Sequence, residues 1–194
     1  NPANDILSFA IAGQVGESLI NASTHSVSVV MPYGTSRTNL VPVITVSPGA
    51  TINPASGVAR DFSDEVDYVV TSQSGVPQSW SISVSNAPNP ANDILSFAIT
   101  GQVGTSIINA SPHSVSLLMP YGVSRNNLVP VITVSDGATI NPASGIARDF
   151  SDKVDYLVTS QSGVPQSWSI SVSNAPNPAN DILSFAIAGQ VGES

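Results

Sequence analysis

Apolar and hydroxyl residues alternate most cleanly in "SWSISVS", where serines separate Trp80, Ile82 and Val84. A period of two sends the three apolar side chains to one face of an extended strand and the hydroxyls to the other. "VDYVVTS", from Val66 to Ser72, predicts a second strand, and the "QSGVPQ" between them holds a Ser-Gly pair that predicts a hairpin turn. Upstream, "ILSFAI" places Leu7, Phe9 and Ile11 on one side, and "HSVSVVMP" does the same for Val27, Val29 and Met31. "VPVITVS" contributes Ile44 and Val46, and "GVARDF" contributes Val58 and Phe62. Pro32, Gly34, Pro48, Gly49, Pro54 and Gly57 punctuate the intervals. No segment sustains a helical apolar period, although "GTSRTNL" has room for one helical turn. Six or seven short strands in about 85 residues predict an all-β fold, an antiparallel β-sandwich of immunoglobulin-like type, with a small barrel as the alternative.

The pattern recurs. Asn1 maps to Asn89 and then to Asn177, and residues 1–88 and 89–176 differ at only twelve positions. Five of these are apolar exchanges: Leu19/Ile107, Val29/Leu117, Val30/Leu118, Val58/Ile146 and Val69/Leu157. Swaps of this kind are what a packed core accepts, so these positions are expected in the interior. The others, Thr24/Pro112, Pro48/Asp136 and Glu65/Lys153 among them, read as surface or turn changes. The domains expected are therefore 1–88 and 89–176, with 177–194 as the first strand of a third repeat. "SNAPNPAND" joins the repeats, and prolines in so short a connection predict a semi-rigid spacer and a rod-like pair of tandem domains.

The stretch "LVPVITVSPGATINPASGVARDFSDEVDYVVTSQSGVPQSWSISV" resembles the tandem immunoglobulin-like repeats of large extracellular and surface proteins of Bacteroidetes-type bacteria. Val41–Ala50, Pro54–Gly57, Asp61–Ser63, Tyr68–Gly75 and Trp80–Val84 carry the match, and the second repeat carries it again. The resemblance implies stalk modules of adhesins or surface fibres, with no shared active site. Near-identity of the copies suits a uniform fibre better than a mosaic enzyme.

Composition narrows the partners. Charged residues make up 9% of the chain and the formal net charge is −8, with Lys153 the single lysine. Nucleic acid requires clustered Lys and Arg to displace counterions, and none are clustered here. An anionic membrane surface would repel the chain. Its apolar runs also fall far short of the roughly 20 residues that cross a bilayer, so no membrane insertion is expected. The absence of cysteine removes disulfides, thiolate metal sites and cysteine nucleophiles, and favours a bacterial source over an animal one. A neutral Ser, Thr, Asn and Gln coat is expected of a secreted or cell-surface protein. No export or lipidation signal is visible, as expected of a window on a longer chain.

Little catalytic chemistry is legible. His25 and His113 are the only histidines, and no G-x-S-x-G elbow surrounds a serine, so a hydrolase triad is disfavoured. "RDFSDEVD" gathers Asp61, Asp64, Glu65 and Asp67, of which Asp61, Asp64 and Asp67 form a weak candidate for a hard cation. Lys153 replaces Glu65 in the second copy, and no EF-hand glycine is present, so a solvated turn is the better reading. "NAS" at Asn21–Ser23 and Asn109–Ser111 fits a glycosylation acceptor but reads as loop in a bacterial protein. Trp80 and Trp168 could stack on a sugar, yet their alternation with serine assigns them to the core. Tyr33 and Tyr121 are the aromatics expected outside. No cofactor and no enzymatic activity are expected.

The third copy offers Ile182, Leu183, Phe185 and Ile187 for burial, worth about 6–12 kcal/mol at roughly 1.5–3 kcal/mol each. Ordering eighteen residues costs roughly 1–2 kcal/mol apiece, so the segment must complete a sheet elsewhere. In one arrangement each "DILSFAI" strand packs on the preceding unit, and the first copy, with Leu7, Phe9 and Ile11, needs a partner from outside. In another, strands are donated between neighbouring repeats or molecules along a filament, and in a third the chain is a register-arbitrary window on a longer fibre. The leading expectation is a structural module of a bacterial extracellular fibre or adhesin stalk; the alternative is a glycan- or protein-binding adhesion module.

Overall fold

A computed structural model describes residues 1–180 of the chain. All its regular structure is strand. Contacts divide the chain into two compact units, Asn1–Ala91 with Ser160–Val164, and Asn92–Thr159 with the chain from Pro165. The first unit has seven strands: β1 (Ile6–Ile11), β2 (Leu19–Asn21), β3 (Ser26–Met31), β4 (Pro42–Val46), β5 (Thr51–Asn53), β6 (Val66–Thr71) and β7 (Pro77–Asn86). The second repeats them as β8 (Ile94–Ile99), β9 (Val103–Asn109), β10 (Ser114–Met119), β11 (Pro130–Val134), β12 (Thr139–Asn141), β13 (Val154–Thr159) and β14 (Pro165–Asn174).

Each unit is a sandwich of a two-stranded sheet and a five-stranded one. In the first unit β1 pairs with β4, and the larger sheet runs β2-β3-β7-β6-β5. The expected hairpin closes β6 against β7, Tyr68 lying opposite Trp80. One pairing departs from the antiparallel plan: β3 and β7 run parallel, Val27 beside Ile82 and Val29 beside Val84, and β10 and β14 do the same. Between β3 and β7 the chain crosses to the small sheet and returns, so the two strands meet in the same direction.

The core lies between the sheets and is built from alternate residues. Val27, Val29 and Met31 of β3 meet Trp80, Ile82 and Val84 of β7 and Tyr68 and Val70 of β6, with Phe62 wedged among them. Phe9 packs edge-on to Phe62 at 6.4 Å and to Tyr68 at 6.1 Å, geometries that put positive ring edges on negative ring faces. The second unit repeats this with Phe97, Phe150, Tyr156 and Trp168.

Several sequence expectations are corrected. Leu7 does not share a face with Phe9 and Ile11: the register shifts between Ile6 and Ser8, so Ile6 turns inward and Leu7 is 57% exposed. A bulge of this kind resets the alternation by one residue. "GVARDF" is not a strand. It contributes one isolated bridge between Arg60 and Leu40, and Val58 is exposed while Phe62 is fully buried. β2 and β5, three residues each, went unpredicted, and "GTSRTNL" forms turns, not helix. Of the five apolar exchanges only Val29/Leu117 lies in the core; Leu19/Ile107, Val30/Leu118 and Val58/Ile146 are exposed pairs, and Leu157 is exposed too.

The first "DILSFAI" needs no outside partner and does not pack on a preceding unit. It is β1 of its own unit, and β8 is likewise paired with β11 of its own. The residues before it are latched as well. Trp80 Nε1 donates to the Asn4 carbonyl at 3.1 Å, Asp5 N to Ser47 Oγ at 3.0 Å, and Ser74 N to the Asn1 carbonyl at 3.3 Å. Ile182, Leu183, Phe185 and Ile187 lie outside the described residues.

The turn between β4 and β5 needs its glycine. Ala50 N donates to Ser47 O at 2.9 Å, and Gly49 has φ 80°, a backbone that side chains resist. A Cβ there would also stand 2.9 Å from Gln73 Cδ. Gly49→Ala is expected to cost about 1–2 kcal/mol from the left-handed backbone alone. Urea unfolding checks this, a lower midpoint at unchanged slope being the expected result.

Candidate glycan-binding surface

At one end of each sandwich the β3–β4 loop is held against the end of the last strand. Thr35 N donates to Pro32 O at 3.1 Å and Gly34 has φ 75°, so Tyr33 and Gly34 are the central residues of a type II turn. The first central position of such a turn projects its side chain outward. Tyr33 is 44% exposed, and Tyr121, in the equivalent turn, is 57% exposed. Among the described residues every other Phe, Tyr and Trp ring is buried.

The loop is pinned by polar groups that no short motif revealed. Arg37 Nη1 donates to Val84 O at 2.6 Å and to Phe62 O at 3.4 Å, while Phe62 N donates to Arg37 O at 2.8 Å. Asn86 Nδ2 donates to Thr35 O at 2.9 Å. Arg125 and Asn174 do the same work in the second unit. Thr38, Asn39, Asp61 and Asp64 are exposed on these connections. A tyrosine on a fixed turn can offer a ring face to a sugar, and exposed hydroxyl, amide and carboxylate groups on these connections can hydrogen-bond to sugar hydroxyls.

The other candidates sort differently. Asp61 sits in a turn where its Oδ1 accepts from Ser63 N at 2.8 Å. The Ser63 hydrogen bonds, and then the Arg37 charge, hold its carboxyl below the usual aspartate value, and Asp149 behaves alike. Since the lowered value belongs to the folded state, any stability from this contact is present above the ordinary carboxylate range and is lost as pH falls through the lowered one. Asp67 is an exposed residue of β6, and Asp64 is exposed in the bend before it. Among the described residues no three His, Cys, Asp or Glu side chains gather as a metal site. His25 lies edge-on to Trp80 with centroids 5.2 Å apart, and His113 repeats this with Trp168 at 5.1 Å. Both tryptophans are fully buried, so neither presents a face to ligand. Asn21 Oδ1 accepts from Ser23 N and Thr24 N, which makes the "NAS" stretch a local turn.

Sequence reasoning also missed how the free edge of β1 is covered. Gln14 Oε1 accepts from Ile11 N at 2.7 Å, and in the second unit Ser106 Oγ donates to Phe97 O at 2.6 Å. The only signal is a glutamine three residues past the strand. An open cleft of about 390 Å³ lies beside this edge, lined by Phe9, Gln14, Glu17 and Ile20 among others, and a cleft of about 260 Å³ occupies the same place in the second unit.

Fold and surface together define a tandem β-sandwich module with one outward tyrosine turn per unit. The family model described as "SGBP, N-terminal" matches twice, over residues 6–84 and 94–172, and the chain belongs to that family. No curated protein matches the chain. Among solved structures it is similar to a Bacteroides thetaiotaomicron protein provisionally named a glycoside hydrolase: 30% identity over 59% of this chain and 34% of that one, with a TM-score of 0.42. It is also similar to a Bacteroides fragilis protein provisionally named a secreted protein, at 17% identity over 45% of this chain and 98% of that one, with a TM-score of 0.39.

Proposed function

We propose that the chain is a pair of non-catalytic, glycan-binding modules of a bacterial cell-surface protein, each offering its tyrosine turn to saccharide. The observation that carries this is membership, across both repeats, of a family named for surface glycan-binding proteins. Tyr33 and Tyr121 support it as exposed rings on braced turns. Capture is favoured over glycoside hydrolysis because that reaction needs a carboxyl held above its ordinary value to act as the acid, whereas the carboxyls of Asp61 and Asp149 are held below theirs. With a net charge of −8, neutral polysaccharides suit the surface better than anionic ones.

A second reading is a spacer that sets the distance of a binding site from the cell, as in the stalk or fibre expected from sequence. The short proline-bearing junction and the near-identity of the repeats favour it.

Affinity electrophoresis of the chain through gels containing single neutral polysaccharides separates the two. Retardation by at least one polysaccharide is expected, with Tyr33→Ala/Tyr121→Ala abolishing it and circular dichroism unchanged. Free migration of the parent chain through every gel overturns glycan binding and leaves the spacer.

A further inference from the structure

The differences between the two repeats are not spread evenly over the surface. On the outer face of the larger sheet of the second unit, a pocket of about 260 Å³ lies against β9, β10 and the end of β14. Four of the seven residues that line it differ from the first repeat, although only twelve positions of 88 differ in all. Thr105 stands where the first unit has Glu17, and Ile107 where it has Leu19. Leu117 and Leu118 replace Val29 and Val30. Drift on an open surface has no reason to gather its changes round one hollow.

Backbone geometry makes the hollow. Ile107 pairs with Ser116 and Val103 with Leu118, so three residues of β9 stand against Leu117 alone. Such a surplus bends the edge strand out of the regular ladder. Gly104, with φ 68°, lies in the bend. Val103, Ile107 and Leu118 give the pocket exposed aliphatic side chains, and Thr105, Ser116 and Ser173 add hydroxyls.

Such a lining accepts a narrow class of ligand. None of its side chains is charged, and none is an aromatic ring on which a pyranose face could stack. Its volume falls below the roughly 300–1,000 Å³ of sites for drug-sized molecules, so it holds one residue of a larger ligand. Aliphatic side chains beside hydroxyls suit a residue that carries a methyl group among hydroxyls of its own.

We infer that this pocket is a subsite for a neutral sugar residue bearing a methyl group, either the C6 methyl of a 6-deoxyhexose or the methyl of an acetyl substituent. The methyl packs on Ile107 and Leu118, and the sugar hydroxyls meet those of Thr105, Ser116 and Ser173. The choice of a sugar rests on the glycan reading above, but the site makes no use of Tyr121. At the equivalent place in the first unit Glu17 sets a carboxylate beside the methyl, and stripping that charge of water opposes binding. The two units therefore differ in ligand.

Solution NMR of the full chain, with labelled Ile, Leu and Val methyl groups, tests this. L-fucose, L-rhamnose and N-acetylglucosamine are the probes, with L-galactose, L-mannose and glucose as their counterparts lacking the methyl. At least one probe is expected to move the Ile107 and Leu118 signals saturably, with its counterpart about tenfold weaker. A response to the deoxyhexoses alone assigns the methyl to C6, and one to N-acetylglucosamine alone assigns it to an acetyl group. Thr105→Glu is expected to remove the shifts, and Tyr121→Ala to leave them unchanged. The first unit carrying Glu17→Thr, Leu19→Ile, Val29→Leu and Val30→Leu is expected to acquire them. No saturable shift with any probe, or equal shifts from probe and counterpart, overturns the inference whatever the polysaccharide gels show. Shifts that survive Thr105→Glu, or that vanish with Tyr121→Ala, overturn it as well.

Discussion

Trp80→Ala is expected to lower the unfolding temperature of the first unit on the order of 20 °C while the second keeps its own. The indole is fully buried, and its loss removes both the largest side chain of the cluster and the donor to the Asn4 carbonyl. Truncating a buried Trp costs about 3–5 kcal/mol, and a carbonyl left unpaired adds to that. The second unit, with Trp168 in the same position, serves as an internal reference. Calorimetry should show the unfolding heat split into two transitions, the upper one near the parental temperature. If both halves shift together, the two clusters unfold as one and the expectation fails. Trp80→Phe should recover much of the packing but not the hydrogen bond, so its transition belongs between the two.

Arg37→Ala is the second large effect expected. A guanidinium nitrogen shared between Val84 O and Phe62 O ties the β3–β4 loop to the end of β7 and to the segment carrying Phe62. Hydrogen bonds from a charged donor contribute about 1.5–3 kcal/mol each, and the longer contact belongs at or below the bottom of that range, so a loss of about 2–4 kcal/mol is expected. Arg37→Lys should recover only part of it, because the shorter lysine side chain does not carry its ammonium out to where Arg37 Nη1 meets the two carbonyls. The check is urea unfolding, where the midpoint of the first unit falls at unchanged slope. Because the same arginine braces the turn bearing Tyr33, retardation in polysaccharide gels should weaken as well, even with the tyrosine intact.

The residues that made the fold legible are those whose neighbours in sequence are also their environment. "SWSISVS" alternates because each apolar residue faces the opposite sheet and the serines take the other face, where in β7 Ser79, Ser83 and Ser85 are exposed and Ser81 is half-buried. Legibility failed where a single backbone event reset the alternation, as the bulge after Ile6 did for Leu7. It failed again where a strand was too short to show a period, as in β2 and β5. Alternation says nothing of a neighbour's direction, so the parallel contact of β3 with β7 could not be read from it. The apolar exchanges misled for another reason: exposed β-strand positions also hold branched residues, and Leu19/Ile107 is a swap on the surface.

The candidate surface was legible only in part. Tyr33 stood out because proline and glycine flank it, and a turn between them keeps a ring outside. Arg37 and Asn86 did not, because their partners are main-chain carbonyls up to 51 residues away in sequence. The coverage of β1 by Gln14 is a three-residue contact, yet nothing in "AGQVG" distinguishes a glutamine that folds back from one that faces water.

The parallel contact between β3 and β7 also has a mechanical side. The first unit begins beside the turn that precedes β7, where Ser74 meets Asn1, and its last strand leaves at the opposite end, where Ala87 N bonds to Met31 O. Tension applied through the two ends of the unit is therefore directed along β7 at one end, and at the other it enters through β1, which is paired with β4 alone. Ten residues long, that strand is gripped on both sides, by β3 and by β6. Pulled lengthwise, its hydrogen bonds share the load and must fail nearly together, whereas a terminal hairpin would open one bond at a time. A surface protein tugged by the material it holds would meet its stiffest resistance along that strand.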